Sequence, residues 1–151
     1  MPSLEALTDK KLVFPRLEAT DAAGVLAELA QRVTASGVVR DAGELQHRLQ
    51  EREALGSTAI GRGIAIPHCK LEALARAVVA VGLSAQGVDF QAGDGQPVRI
   101  FFVVASPARS PAEHLQCLAL ISKWARVDHH LERLLEATDA DSILALLREP
   151  F

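Results

Sequence analysis

The sequence predicts an α/β layered domain, and three observations predict it. Two apolar runs, Ala77–Leu83 and Val98–Ala105, carry almost no charge and read as strands buried on both faces. Helix pairs with one apolar face stand before and after these runs, the arrangement of helices packed on a sheet. Cap residues mark where those helices begin and end. The 151 residues, 49% apolar and 23% charged, suit one domain over 1–151 with a core that needs no staples.

In chain order, Leu12-Val13-Phe14 reads as a short strand ended by Pro15. Thr20 or Asp21 caps a helix with Val25, Leu26, Leu29, Ala30 and Val33 on one face, closed by Gly37. Asp41 and Glu44 form a capping box for a second helix, with Leu45 and Leu49 inward and Gly56 as its stop. Between the two strands, residues 84–97 hold Gly87, Gly93, Gly95 and Pro97 and read as a loop or hairpin connection. Pro107 ends the second strand. Ser110-Pro111-Ala112-Glu113 then starts a helix to about Arg126, with serine as cap and proline at the first position. Leu118, Ile121 and Ala125 share its inner face. Two more helices begin near Asp128 and Asp139.

Composition excludes several function classes. A net charge of −3 without a basic tract argues against nucleic acid as the main partner. The apolar runs fall far short of the ~20 residues that span a bilayer, so no membrane insertion is expected. Met1-Pro2-Ser3-Leu4-Glu5 lacks the basic-then-apolar layout of a signal peptide. Two cysteines, Cys69 and Cys117, make no disulfide framework and point to the cytoplasm.

The chemistry concentrates in Gly56–Lys70, which packs glycines, a short apolar run and then Pro67-His68-Cys69-Lys70. Proline fixes the backbone before His68, an imidazole suited to act as nucleophile, metal ligand or general base. Two nucleotide motifs fail here. Gly56 and Gly61 have P-loop spacing, but Arg62-Gly63 stands where Lys then Ser/Thr is needed, and no G-x-G-x-x-G occurs. A zinc site from His68, Cys69, His114 and Cys117 is disfavoured because adjacent His68 and Cys69 diverge. The cysteines read as small buried apolar residues, His47 as a surface histidine, and His129-His130 as an exposed helix start. His114 lies in the first turn of its helix, facing the sheet, where free N–H groups favour an anion. Arg52 can supply a bidentate clamp. Whether His68, His114 and Arg52 meet is beyond what spacing shows.

Arg52-Glu53, Gly56-Ser57-Thr58 and Gly61-Arg62-Gly63-Ile64-Ala65-Ile66-Pro67-His68 resemble the signature of phosphotransferase-system EIIA domains of the fructose/mannitol and nitrogen-regulatory type. Val88-Asp89-Phe90, Asp94-Gly95-Gln96-Pro97-Val98, Pro107 and His114-Leu115 look like later segments of that family, so the resemblance spans nearly the whole chain. It implies a three-layer sandwich of a mixed β-sheet flanked by helices. It implies a cytoplasmic phosphotransferase component in which His68 accepts a phosphoryl group, as tele-phosphohistidine, from an HPr/NPr-like phosphocarrier protein. His114 and Arg52 match positions that stabilise the phosphoryl group, with Thr58 and the glycine-loop amides as further donors. No cofactor and no metal are implied. A chain of this length favours the nitrogen-regulatory role, with EIIB, a sensor kinase or a potassium transporter as possible further partners. A sugar-specific EIIA relaying phosphate to EIIB is the second reading, and a phosphorylation-independent binding module the third. Cys69 departs from the family's commonest residue, glycine. It would put a sulfur beside the imidazole, which invites a redox-sensing role.

Overall fold

The computed structural model describes residues 3–151; Met1 and Pro2, where the reading of the N-terminus begins, lie outside them. After two 3-10 turns, Glu5–Leu7 and Lys10–Leu12, the chain runs β1 (Val13–Phe14), α1 (Ala22–Ala35) and α2 (Ala42–Ala54). Next come β2 (Ala59–Gly61), β3 (Ile64–Ala65), β4 (His68–Leu71), β5 (Val78–Val88) and β6 (Val98–Pro107). Three helices close it: α3 (Pro111–Ala125), α4 (Asp128–Glu136) and α5 (Ala140–Leu147).

The strands form one mixed sheet in the order β1-β5-β6-β3-β2, with β4 also paired to β6. β5 and β6 are antiparallel, while β1 runs parallel to β5, and both β3 and β4 run parallel to β6. Side chains of β6 alternate between two cores, as strand geometry requires. Phe101, Val103 and Ala105 join the cluster under α1 and α2, with Leu29, Leu45 and Leu49. Ile100, Phe102 and Val104 join the cluster under α3, α4 and α5, with Ile121, Trp124 and Leu134. Burial on both faces explains why this strand reads as an apolar run without alternation. The result is the three-layer sandwich expected.

The capping expectations divide. Asp21 accepts from Gly24 N–H at 2.7 Å, Asp41 from Glu44 N–H at 3.0 Å, and Asp139 from Ser142 N–H at 2.7 Å. Ser110 makes no side-chain cap bond. The first-turn Glu113 turns instead to Ala77, whose N–H it accepts at 3.0 Å, tying α3 to the entry of β5. Residues 84–97 are not all loop: β5 continues to Val88 through an irregularity after Leu83. Gly87 carries it, with φ +84° and Pro97 so near that a Cβ would collide with its ring. The exposed pair His129-His130 is half right. His129 is exposed, but His130 is fully buried, stacked on Trp124 with ring centroids 4.4 Å apart.

Candidate functional site

The glycines build a platform. Gly61, Arg62 and Gly63 take left-handed φ of +87°, +59° and +78°, which turns β2 back into β3. Arg62 pays for this conformation with ties at both ends. Its N–H donates to Asp94 at 3.0 Å, and its guanidinium donates to the Ala125 carbonyl at 2.9 Å and pairs with Asp128. From there the chain runs alongside β6, with Val104 N–H donating to the Pro67 carbonyl at 3.0 Å. The stretch Gly56–Lys70 therefore holds β2 and β3 and most of β4. His68 opens the last of them, paired in register with Val104.

That position fixes which way each neighbour points. Along β4, Cys69 and Leu71 face the α1/α2 core, so His68 and Lys70 face the α3 side. The half-buried His68 ring has its centroid 5.3 Å from that of His114. Arg52, in the last turn of α2, reaches the same ring from the other layer. Its Nε–H donates to His68 Nε2 at 3.2 Å, and its Nη1 donates to the Gly56 carbonyl at 2.9 Å. The three residues that spacing left apart meet here. They line an open depression of about 550 Å³ whose rim adds Arg48, Lys70 and the partly or well exposed Leu55, Leu115 and Leu118.

Hydrogen bonding sets the chemistry of the His68 ring. Nδ1 lies 2.7 Å from the Ile66 carbonyl, which only accepts, so Nδ1 carries the proton. Nε2 is left unprotonated, and its lone pair accepts the Arg52 Nε–H at the depression. Burial pulls the His68 pKa below its ordinary value; the Arg52 and Lys70 charges push the same way, against the Ile66 bond and Glu53. His114 is buried, and burial, then His68 and Lys70, lower its pKa to about 4. Both rings are thus neutral near pH 7. A neutral imidazole with a free nitrogen and an adjacent guanidinium can attack an electrophile and hold an anion afterwards.

Other expectations shift. Thr58 does not face His68: its hydroxyl and N–H both donate to Glu53, each at 2.7 Å. This clamp braces the Gly56–Thr58 turn whose carbonyl holds Arg52, a task that sequence reading did not give Glu53. Strand alternation also buries the Cys69 thiol in the opposite core, where burial lifts its pKa to about 12. Its sulfur is not beside the imidazole, and such a thiol is a poor redox sensor. Cys117 belongs to the other core, so the sheet separates the two cysteines, and burial raises its pKa too. His47 is exposed on α2, as expected.

Ser106 was missed altogether. It is fully buried on β6, and its Oγ is hydrogen-bonded to His114 Nδ1. A lone hydroxyl ending an apolar strand run, eight residues before a helix-start histidine, was the available signal.

Residues 6–149 match the family model described as phosphoenolpyruvate-dependent sugar phosphotransferase system, EIIA 2. The chain is 34% identical over 126 residues to the fructose-specific EIIA component of Haloferax volcanii, covering 83% of this chain and 82% of that one. It is 32% identical over 144 residues to the nitrogen regulatory protein of Bradyrhizobium diazoefficiens, covering 95% and 94%. Against the fructose-specific EIIABC component of Bacillus subtilis it is 30% identical over 149 residues, yet spans only 23% of that longer protein. Among solved structures, nitrogen regulatory IIA-Ntr of Neisseria meningitidis superposes with a TM-score of 0.88 at 24% identity, covering 95% of this chain and 98% of that one. Enzyme IIAMTL of Escherichia coli, solved in complex with phosphorylated IIBMTL, gives 0.79 at 23% identity, covering 93% and 98%. At these identities the structures establish the shared fold.

Proposed function

The chain belongs to the EIIA 2 family of the phosphoenolpyruvate-dependent sugar phosphotransferase system, and on that premise we propose that it carries a phosphoryl group on His68 Nε2. The donor is the phosphohistidine of an HPr/NPr-like carrier protein. As the lone pair of Nε2 forms the new N–P bond, the donor's N–P bond breaks and its electron pair returns to the donor imidazole. The ring of His68 gains positive charge in that step, and its Nδ1–H, held on the Ile66 carbonyl, is placed to stabilise it. Such transfer demands positioning and charge neutralisation more than covalent help. Arg52 must move its Nε–H from Nε2 to a phosphoryl oxygen, while its Nη1 stays anchored on Gly56. His114 is the second donor to the group.

The observation that carries this reading is the tautomer of His68. Its one unprotonated nitrogen is the one beside Arg52 and His114 in the open depression. The leading role is regulatory, supported by the Bradyrhizobium relative, which the chain matches over nearly its full length. A sensor kinase or a potassium transporter is a target of the kind the family resemblance implies. The second reading, relay of the group to an EIIB for sugar uptake, is supported by the Haloferax relative. Either role places the protein in the cytoplasm, with its donor; among the described residues no helix is long and apolar enough to cross a membrane.

The test is incubation with phosphoenolpyruvate, enzyme I and the carrier, followed by mapping of the modified residue. Acid-labile phosphate on His68, absent from His68→Ala, is expected. A wild type that takes up none sinks the carrier reading and leaves a binding module acting through contacts alone. Addition of an EIIB then separates the roles, since drainage of the phosphate marks a sugar relay.

A further inference from the structure

We propose that the buried Ser106 hydroxyl fixes the proton of His114 on Nε2, so that His114 presents an N–H, not a lone pair, to the phosphoryl group; this rests on the carrier reading above. Ser106 lies on β6 opposite Lys70 of β4, one pleat beyond the Val104–His68 pair. It is therefore on the same face as His68, directly beneath the first turn of α3. The hydroxyl is sealed from solvent, and His114 Nδ1 is its only hydrogen-bond partner among the described residues. If Nδ1 carried the proton, it would donate to Oγ, and the hydroxyl's own proton would be buried with no acceptor. A buried donor without an acceptor is rare and costly. Ser106 O–H therefore donates to Nδ1, and the neutral ring must hold its single N–H on Nε2.

The exit of that nitrogen is open. His114 Nε2 has no hydrogen-bond partner among the described residues, and it is not sealed off as His130 Nε2 is. His114 lines the depression together with His68 and Arg52. In the opposite tautomer its lone pair would, after transfer, meet the phosphoryl oxygens, an encounter that is repulsive. Lys70 faces the same space, and with burial it opposes the cationic ring that would make the choice of tautomer irrelevant. Ser106 touches neither donor nor phosphoryl group, so it is a positioning residue.

The decisive measurement is the pair of ring ¹⁵N shifts of His114 in the intact, unphosphorylated protein near pH 7. The expected pattern is a protonated Nε2 and an acceptor-type Nδ1; a proton on Nδ1 overturns the proposal with no variant needed. In Ser106→Ala the Nε2–H signature is expected to weaken, and transfer to His68 to slow roughly 10-fold while remaining detectable. Ser106→Thr keeps a hydroxyl and is expected to restore both. Unchanged shifts in Ser106→Ala overturn the proposal, as does a changed tautomer with an unchanged rate. A wild type that accepts no phosphate at all overturns the carrier reading and the phosphoryl half of this proposal, while the spectrum still decides the tautomer.

Discussion

Two buried histidines pack on the same side of the sheet, and they have opposite fates. His114, in the first turn of α3, binds Ser106 through Nδ1 and turns its other end to the depression around His68. His130, in the first turn of α4, accepts no such opening. Its Nδ1 bonds the Trp124 carbonyl at 2.9 Å, its ring stacks on the Trp124 indole, and its Nε2 is buried without a partner. Burial alone does not make a histidine part of a site. What matters is whether its second nitrogen has a way out.

Substitution offers the strongest way to break this comparison. His114→Ala is expected to slow transfer to His68 by roughly 10²-fold, the scale of losing one preorganised donor, with labelling still detectable. His130→Ala is expected to leave the transfer rate within about two-fold, since its ring lies outside the depression. Reversed results in a single-turnover assay would show that the sealed histidine is the functional one. Stability should order the pair the other way. His130→Ala empties a fully packed site against Trp124 and is expected to cost about 2–3 kcal/mol in urea unfolding, more than His114→Ala at the open rim.

Acidification sharpens the contrast further. Because the folded protein holds the His114 pKa near 4, below the ordinary 6.5, the unfolded chain takes up this proton first as pH falls. Stability from this group is complete above about pH 6.5 and is lost progressively as pH falls toward 4. His114→Gln is expected to flatten the fall of the urea midpoint across that window; an equal slope in both proteins would refute the neutral ring. The smallest effect belongs to the opposite core. Cys69→Ala is expected to change transfer less than about two-fold, and the native Cys69 thiol, with its pKa lifted to about 12, should react slowly with iodoacetamide near pH 7.

Much of this was legible in the residues, for identifiable reasons. The apolar runs of β5 and β6 are long enough to declare themselves, and Asp21, Asp41 and Asp139 each cap a helix by a local bond that sequence can show. The trio Arg52, His68 and His114 was recognised through its motif, although only the fold supplies the approach of α2, β4 and α3. Strands β2, β3 and β4 escaped because two to four residues are too few to display a period, and glycine-rich turns hide them. Thr58 escaped because a loop hydroxyl looks free until Glu53 is seen to hold it. His130 escaped because its partner, Trp124, belongs to the preceding helix and arrives only when the chain turns at Val127. Local pattern shows which residues are apolar; it does not show which polar one a neighbouring helix will cover.

The seat of His68 at the head of a paired strand has a consequence for the proposed carrier role. Its backbone is fixed by the ladder to β6, and the Pro67 carbonyl before it is already bonded to Val104. On the proposed carrier reading, loading this ring would leave the chain little slack for rearrangement, so the loaded state would be written as a patch of negative charge on a rigid surface. A reader that distinguishes the loaded from the empty form then has to press its own surface into the depression, against Leu55 and Leu115, and feel that charge directly. On that reading, information would leave the molecule by touch at the place where it entered.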